Sequence, residues 1–115
     1  MKPLEDRVGQ MIMGGFDGLT APGYFLNWLR EGRLGGVILF ARNVESPVQL
    51  ANLTQQLHDA AKYPLLISID QEGGTVARLR EVFTESPGAM ALASIPHRAE
   101  VVIEDVSRVL AAEMV

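Results

Sequence analysis

With 115 residues, 48% hydrophobic and 21% charged, the chain is long enough for one globular unit and too short for two. Its 14 acidic and 10 basic residues give a net charge of −4 without any run of Lys or Arg, which argues against nucleic acid and anionic membranes as partners. There is no cysteine, which excludes disulfides and thiolate sites and leads us to expect a cytoplasmic setting. No apolar leader core follows Met1, and no stretch approaches the roughly 20 apolar residues of a membrane span.

In chain order, Gln10-Met11-Ile12-Met13-Gly14-Gly15-Phe16 is a short apolar run closed by the turn signal Asp17-Gly18, and it predicts a first strand. Tyr24, Phe25, Trp28 and Leu29 recur at helical spacing and predict a short helix ending near Gly32. After Gly35-Gly36, Val37-Ile38-Leu39-Phe40 is apolar without alternation, the pattern of a parallel strand covered on both faces. Ser46-Pro47-Val48-Gln49 reads as a capping box with proline at the first helical position. The helix it opens carries the stripe Leu50, Leu53, Leu57 and Ala61 and runs to about Lys62.

Pro64 interrupts, and Leu65-Leu66-Ile67-Ser68-Ile69 predicts a third strand that ends on Asp70-Gln71-Glu72-Gly73-Gly74. A loop with Pro87-Gly88 and an Ala-rich turn over residues 89–93 follow. Pro96 is read as the start of a last helix, with Val102, Val106, Val109 and Leu110 as its apolar stripe and Glu104 paired to Arg108 at i, i+4. Trp28 and the methionines read as core, and Ile38 and Ile67 are expected to be buried in the sheet.

Strands alternating with helices at this spacing specify a right-handed parallel α/β unit, of either a doubly wound sheet or a (β/α)8 barrel. Periodicity does not choose between the two. Both gather ligands at the carboxyl ends of their strands, which here carry Asp17, then Arg42 and Asn43, then Asp70, Gln71 and Glu72. Carboxylates leaving a buried strand can accept hydrogen bonds from sugar hydroxyls, and the two glycines would let backbone approach a ligand. A polar turn that caps neighbouring N–H groups is the alternative reading.

Other chemistry finds little support. His58 and His97 read as solvated helix residues, and no His/Asp/Glu group has metal-ligand spacing. No glycine group fits a dinucleotide or Walker pattern, and the sequon Asn52-Leu53-Thr54 falls inside a predicted helix. No metal or cofactor is expected.

The segment PLLISIDQEGG (Pro64 to Gly74), followed by Val76 and Arg78, resembles the signature of family 3 glycoside hydrolases in their β-N-acetylglucosaminidase, or β-hexosaminidase, branch. VGQMIMGGFDG (Val8 to Gly18), GGVILFARNVESPVQL (Gly35 to Leu50) and FTESPGAMALAS (Phe83 to Ser94) support the resemblance in the right order. It implies an α/β fold that is the N-terminal portion, about three βα units, of a TIM (β/α)8 barrel, with residues 1–115 as an N-terminal fragment of that domain. It further implies that Asp70 grips hydroxyls of the non-reducing N-acetylglucosamine and that Arg78 reaches the same sugar. Chemically Asp70 suits an acceptor role, and Arg78 is a fixed fork of donors that can also pair with it.

Thr75 and Ala77 depart from the family pattern, where a second Arg and a Gln are usual. Glu72 is read as orienting the loop, and Arg42 and Asn43 as stabilising theirs. The family works by retention, with an Asp nucleophile and a His acid/base far downstream of the signature, and no KHFPGHG-like segment occurs here. Retaining glycosidases hold their two carboxyls about 5 Å apart across the bond, and Asp70 and Glu72, on one loop, cannot do so. The resemblance thus implies the N-terminal part of a retaining glycoside hydrolase that removes terminal β-linked N-acetylglucosamine, in muropeptide recycling, inactive by itself. The alternatives are a stand-alone carbohydrate-binding or interaction module and a partial barrel that self-associates through open sheet edges.

Overall fold

The three apolar runs become one parallel sheet, β1 (Met13–Gly14), β2 (Gly36–Leu39) and β3 (Leu66–Ile69), in the order β1-β2-β3. This computed structural model describes residues 2–114, in two compact units, Met1–Ile69 and Asp70–Val115. The sheet belongs to the first. Sequential order excludes doubly wound sheets whose first strand lies between the second and third, and leaves the barrel open.

Register fixes which side chains share a face. Gly36 is level with Leu66, Val37 with Ile67, Ile38 with Ser68 and Leu39 with Ile69. Val37 and Leu39 are buried with Phe25 and Leu29 of helix α2 (Gly23–Arg30) and Leu53 and Leu57 of α3 (Pro47–Ala60), and Ile67 and Ile69 pack against that cluster. Each fully buried side chain of this size contributes about 1.5–3 kcal/mol. Both helices feed one face, so the other keeps Leu66 71% exposed and Met13 44% exposed. Of strand β2, expected to be covered on both faces, Gly36, Val37 and Leu39 are buried. Ile38 and Ile67 are only half-buried.

The first predicted strand shrinks to two residues because its beginning is drawn into the turn that closes an unforeseen helix, α1 (Leu4–Gly9). The N–H groups of Gln10, Met11 and Ile12 donate back to Asp6, Val8 and Gly9 at 3.0 Å each, which leaves them unable to pair with β2. Helix α1 escaped notice because its six residues, with Leu4 and Val8 as one apolar pair at i, i+4, are too few to display a helical period.

The core reading of Trp28 and the methionines is also corrected. Met11, Met90 and Met114 are exposed, Trp28 is 40% exposed, and Met1 lies outside the described residues. On α2 the buried face is Phe25 and Leu29, so Tyr24 and Trp28 form a flanking row, edge to face with ring centroids 5.2 Å apart. Four large apolar residues were wider than the face available.

Helix α3 begins as expected, with Ser46 Oγ accepting from the Gln49 N–H at 3.2 Å. The return bond differs, for Gln49 Oε1 accepts from the N–H of Glu45, not of Ser46. Its Nε2 donates to the carbonyls of Leu19 at 2.8 Å and Asn43 at 3.1 Å, tying the helix start to two loops.

In the second unit, β4 (Gln71–Gly73) and β5 (Val76–Ala77) form a bulged antiparallel hairpin, and α4 (Ala89–Ala93) packs on α5 (Ala99–Glu113). Helix α5 starts at Ala99 and not at Pro96, because His97 and Arg98 have φ of 53° and 129° and interrupt any helix from the proline. Along it Val102, Val106 and Leu110, spaced at i, i+4, are half-buried while Val109 is exposed, so Val109 leaves the expected stripe. Arg108 and Glu104 pair at 2.5 Å on the exposed side, where such a pair contributes a few tenths of a kcal/mol.

Candidate functional site

Asp70 directly follows β3, and the chain then folds back so that Arg78, just past β5, returns to it. The two are 3.8 Å apart, Nη2 to Oδ2, with side chains 30% and 48% exposed for Arg78 and Asp70. That separation is an ion pair without a formed hydrogen bond. Donor and acceptor both keep capacity for a third party. Arg78 Nε is buried and has no partner among the described residues, a state that costs about 1–3 kcal/mol when nothing accepts from the donor.

Gln71 sets this geometry. Its Oε1 accepts from the N–H groups of Arg78 at 2.8 Å and Leu79 at 3.0 Å, and its Nε2 donates to the Leu79 carbonyl at 2.9 Å. Arg80 holds the hairpin's turn, donating from Nη2 to the Gly74 carbonyl and from Nε to that of Ala77, and pairing through Nη1 with Glu85 at 3.0 Å. Sequence reasoning gave neither residue such a role, since a lone amide or guanidinium on a loop has no spacing signature. Glu72, expected to orient the loop, is exposed, and Gln71 does that work in its place.

Gly73 and Gly74 have φ of 81° and 59°, and a Cβ on Gly73 would lie 2.3 Å from the Pro87 carbonyl oxygen. The chain's own Ser86-Pro87 segment occupies the space, which corrects the expectation that this glycine opens it to a ligand.

At the end of β2, Asn43 is fully buried. It donates from Nδ2 to the carbonyls of Phe16 at 3.0 Å and Gly18 at 2.8 Å and accepts from the Phe40 N–H at 2.9 Å, the loop-stabilising role expected of it. Arg42 pairs with Asp17 at 2.5 Å and lies over the Phe40 ring. His58 and His97 are both exposed. Among the described residues no group of three His, Cys, Asp or Glu side chains could hold a metal ion, and no helix is long and apolar enough to cross a membrane.

The sequence profile described as "Glycosyl hydrolase family 3 N terminal domain" matches residues 3–115. A beta-hexosaminidase of Alkalilimnicola ehrlichii is 40% identical over 107 residues, 90% of this chain and 31% of the relative. Native NagZ from Neisseria gonorrhoeae superposes with a TM-score of 0.83 at 32% identity, over 90% of this chain and 31% of that one. A glycoside hydrolase family 3 beta-N-acetylglucosaminidase from Paenibacillus sp. str. FPU-7 gives a TM-score of 0.76 at 44% identity, over 82% of this chain and 19% of that one. The chain thus spans less than a third of these relatives' length. Of the two architectures that periodicity left open, the fold is the N-terminal portion of a (β/α)8 barrel.

Proposed function

From the premise that this chain belongs to glycosyl hydrolase family 3, we propose that it is the N-terminal part of a retaining β-N-acetylhexosaminidase that removes terminal β-linked N-acetylglucosamine. Asp70 and Arg78 hold that sugar. The observation that carries the reading is their pairing at 3.8 Å just beyond β3, with the buried Arg78 Nε unpartnered among the described residues. A sugar hydroxyl is both donor and acceptor, so its O–H can donate a hydrogen bond to the carboxylate while its oxygen accepts one from a guanidinium N–H. NagZ from Neisseria gonorrhoeae in complex with N-trifluoroacetyl-D-glucosamine, 32% identical to this chain, supports an amino sugar as the class of ligand.

Residues 1–115 are the N-terminal fragment of the barrel domain, and the nucleophile and the acid/base come from outside them. Asp70 and Glu72 leave the sheet on one hairpin, so they supply one wall of a subsite and not the two flanking groups that retention needs. The product, free N-acetylglucosamine, suits cytoplasmic recycling of cell-wall muropeptides. The test is hydrolysis of an aryl β-N-acetylglucosaminide by the full-length protein, with and without Asp70→Ala. Turnover that collapses in the variant supports the reading; binding of the sugar without turnover favours a carbohydrate-binding module.

A further inference from the structure

We propose that Gln71 is a positioning residue for sugar binding, acting through Arg78. The inference rests on the function proposed above and adds a residue to its site. Gln71 makes three hydrogen bonds, and all of them end on the backbone of residues 78 and 79. The pattern is that of a strand neighbour. Its amide carbonyl receives two successive N–H groups and its amide N–H2 serves the carbonyl between Leu79 and Arg80.

The hairpin needs such a substitute because its own ladder is faulty. Gln71 is level with Ala77, but the register slips between Gln71 and Gly73, and β5 stops at Ala77. Regular backbone pairing therefore ends one residue before Arg78. Without the Gln71 amide nothing on β4 would fix where the Arg78 backbone passes, and the guanidinium at the end of a flexible stem would no longer be held 3.8 Å from Asp70. Arg78 Nε is buried and has no partner among the described residues in this arrangement.

The chemistry is specific to an amide. Glutamate has the same shape and would still accept from both N–H groups, but its second oxygen would face the Leu79 carbonyl with no proton between them. Methionine would fill the space and make none of the bonds. Protonating the glutamate would restore a donor where the amide had one.

The experiment measures binding of N-acetylglucosamine to the full-length protein by calorimetry for Gln71→Met, Gln71→Glu, Arg78→Ala and each double variant, with a thermal midpoint for each. Both Gln71 variants should bind roughly tenfold more weakly, the scale of a misplaced hydrogen bond to a charged group. In the Arg78→Ala background the same changes should have almost no further effect, because a residue that acts through Arg78 has nothing left to position. The Gln71→Glu deficit relative to the parent should shrink as pH falls towards the ordinary glutamic-acid value of about 4.3. Equal losses in both backgrounds overturn the proposal, as does a Gln71→Glu deficit independent of pH. Loss of folding in both Gln71 variants also overturns it, by making Gln71 a structural residue of the hairpin. If Arg78→Ala itself leaves binding unchanged, the proposed function fails; if Arg78→Ala weakens binding and the Gln71 variants do not, only the positioning role fails.

Discussion

The Asp6 carboxylate meets the Lys62 ammonium at 2.7 Å, across 56 positions of sequence, and the Tyr63 hydroxyl donates to the same oxygen at 2.5 Å. This contact fastens α1 to the segment that leads into β3. The hydrogen bond from Lys62, then that from Tyr63, hold the Asp6 carboxyl below the usual carboxylate value, while the bond to Asp6 raises both Lys62 and Tyr63 above theirs.

The signs define a window. A depressed carboxyl contributes stability that is complete above its unfolded value, about 3.9, and lost as pH falls through the folded one. Raised cationic and phenolic groups contribute stability that is complete below about 10 and lost as pH rises through their folded values. Asp6→Asn should therefore lower the denaturation midpoint between roughly pH 5 and 9, and the difference from the parent should vanish in acid. Denaturant titrations at three pH values check this; a deficit that persists undiminished at pH 2 would show that the loss is not electrostatic.

At the sugar site the effects should fall on binding and not on folding. Asp70 is half-exposed, so Asp70→Ala in the full-length protein should move stability by no more than about 0.5 kcal/mol. Its kcat/KM on an aryl N-acetylglucosaminide should fall roughly tenfold to a hundredfold, the equivalent of 1.5–3 kcal/mol of charged hydrogen bonding. Arg78→Ala should lose less if Asp70 keeps its own contact. Unchanged kcat/KM in Asp70→Ala removes Asp70 from the site.

Apolar side chains fall on two sides of the sheet. Val37 of β2 and Leu57 of α3 are fully buried between sheet and helices, whereas Leu66 of β3, on the other face, is 71% exposed. In the isolated chain of residues 1–115, Leu57→Ala should cost about 2–5 kcal/mol, Ile38→Ala and Ile67→Ala less, and Leu66→Ala should stay within about 0.5 kcal/mol of the parent. Equal midpoint shifts for Leu57→Ala and Leu66→Ala would contradict the one-sided burial.

What the sequence disclosed follows from where its apolar signal is extended. Strands β2 and β3 were legible as unbroken or nearly unbroken apolar runs, and helices α2 and α3 because apolar residues recur at helical spacing over several positions. Helix α1 was not, being only six residues long. The Asp70–Arg78 pair was suggested by motif resemblance, whereas Gln71, Arg80 and Asp6 act through partners that only folding brings near.

Asn43 tests a buried polar hub. Its carboxamide satisfies the Phe40 N–H and the carbonyls of Phe16 and Gly18 from a fully buried position. Asn43→Leu leaves these groups without their partner, at about 1–3 kcal/mol for each that stays buried. Asn43→Asp keeps the acceptor and loses the donors, so it should be similarly damaging at neutral pH. Midpoint shifts below about 0.5 kcal/mol in both variants would mean that water replaces the amide.

Expressed by itself, the chain of residues 1–115 should hydrolyse no aryl N-acetylglucosaminide and should self-associate. The first expectation is chemical: one subsite wall can bind a sugar, but without a nucleophile and an acid/base the interactions made only in the transition state are missing. The second is physical. In the three-stranded sheet β1 and β3 each pair along one side only, and the face opposite α2 and α3 carries exposed Leu66 and Met13. Unpaired edges and an apolar face favour pairing between chains. Light scattering should therefore report a mass above that of one chain, and Leu66→Lys should lower it by placing a charge on that face. Turnover by the isolated chain would defeat the division of catalytic labour, and a monodisperse monomer of the parent sequence would defeat the association.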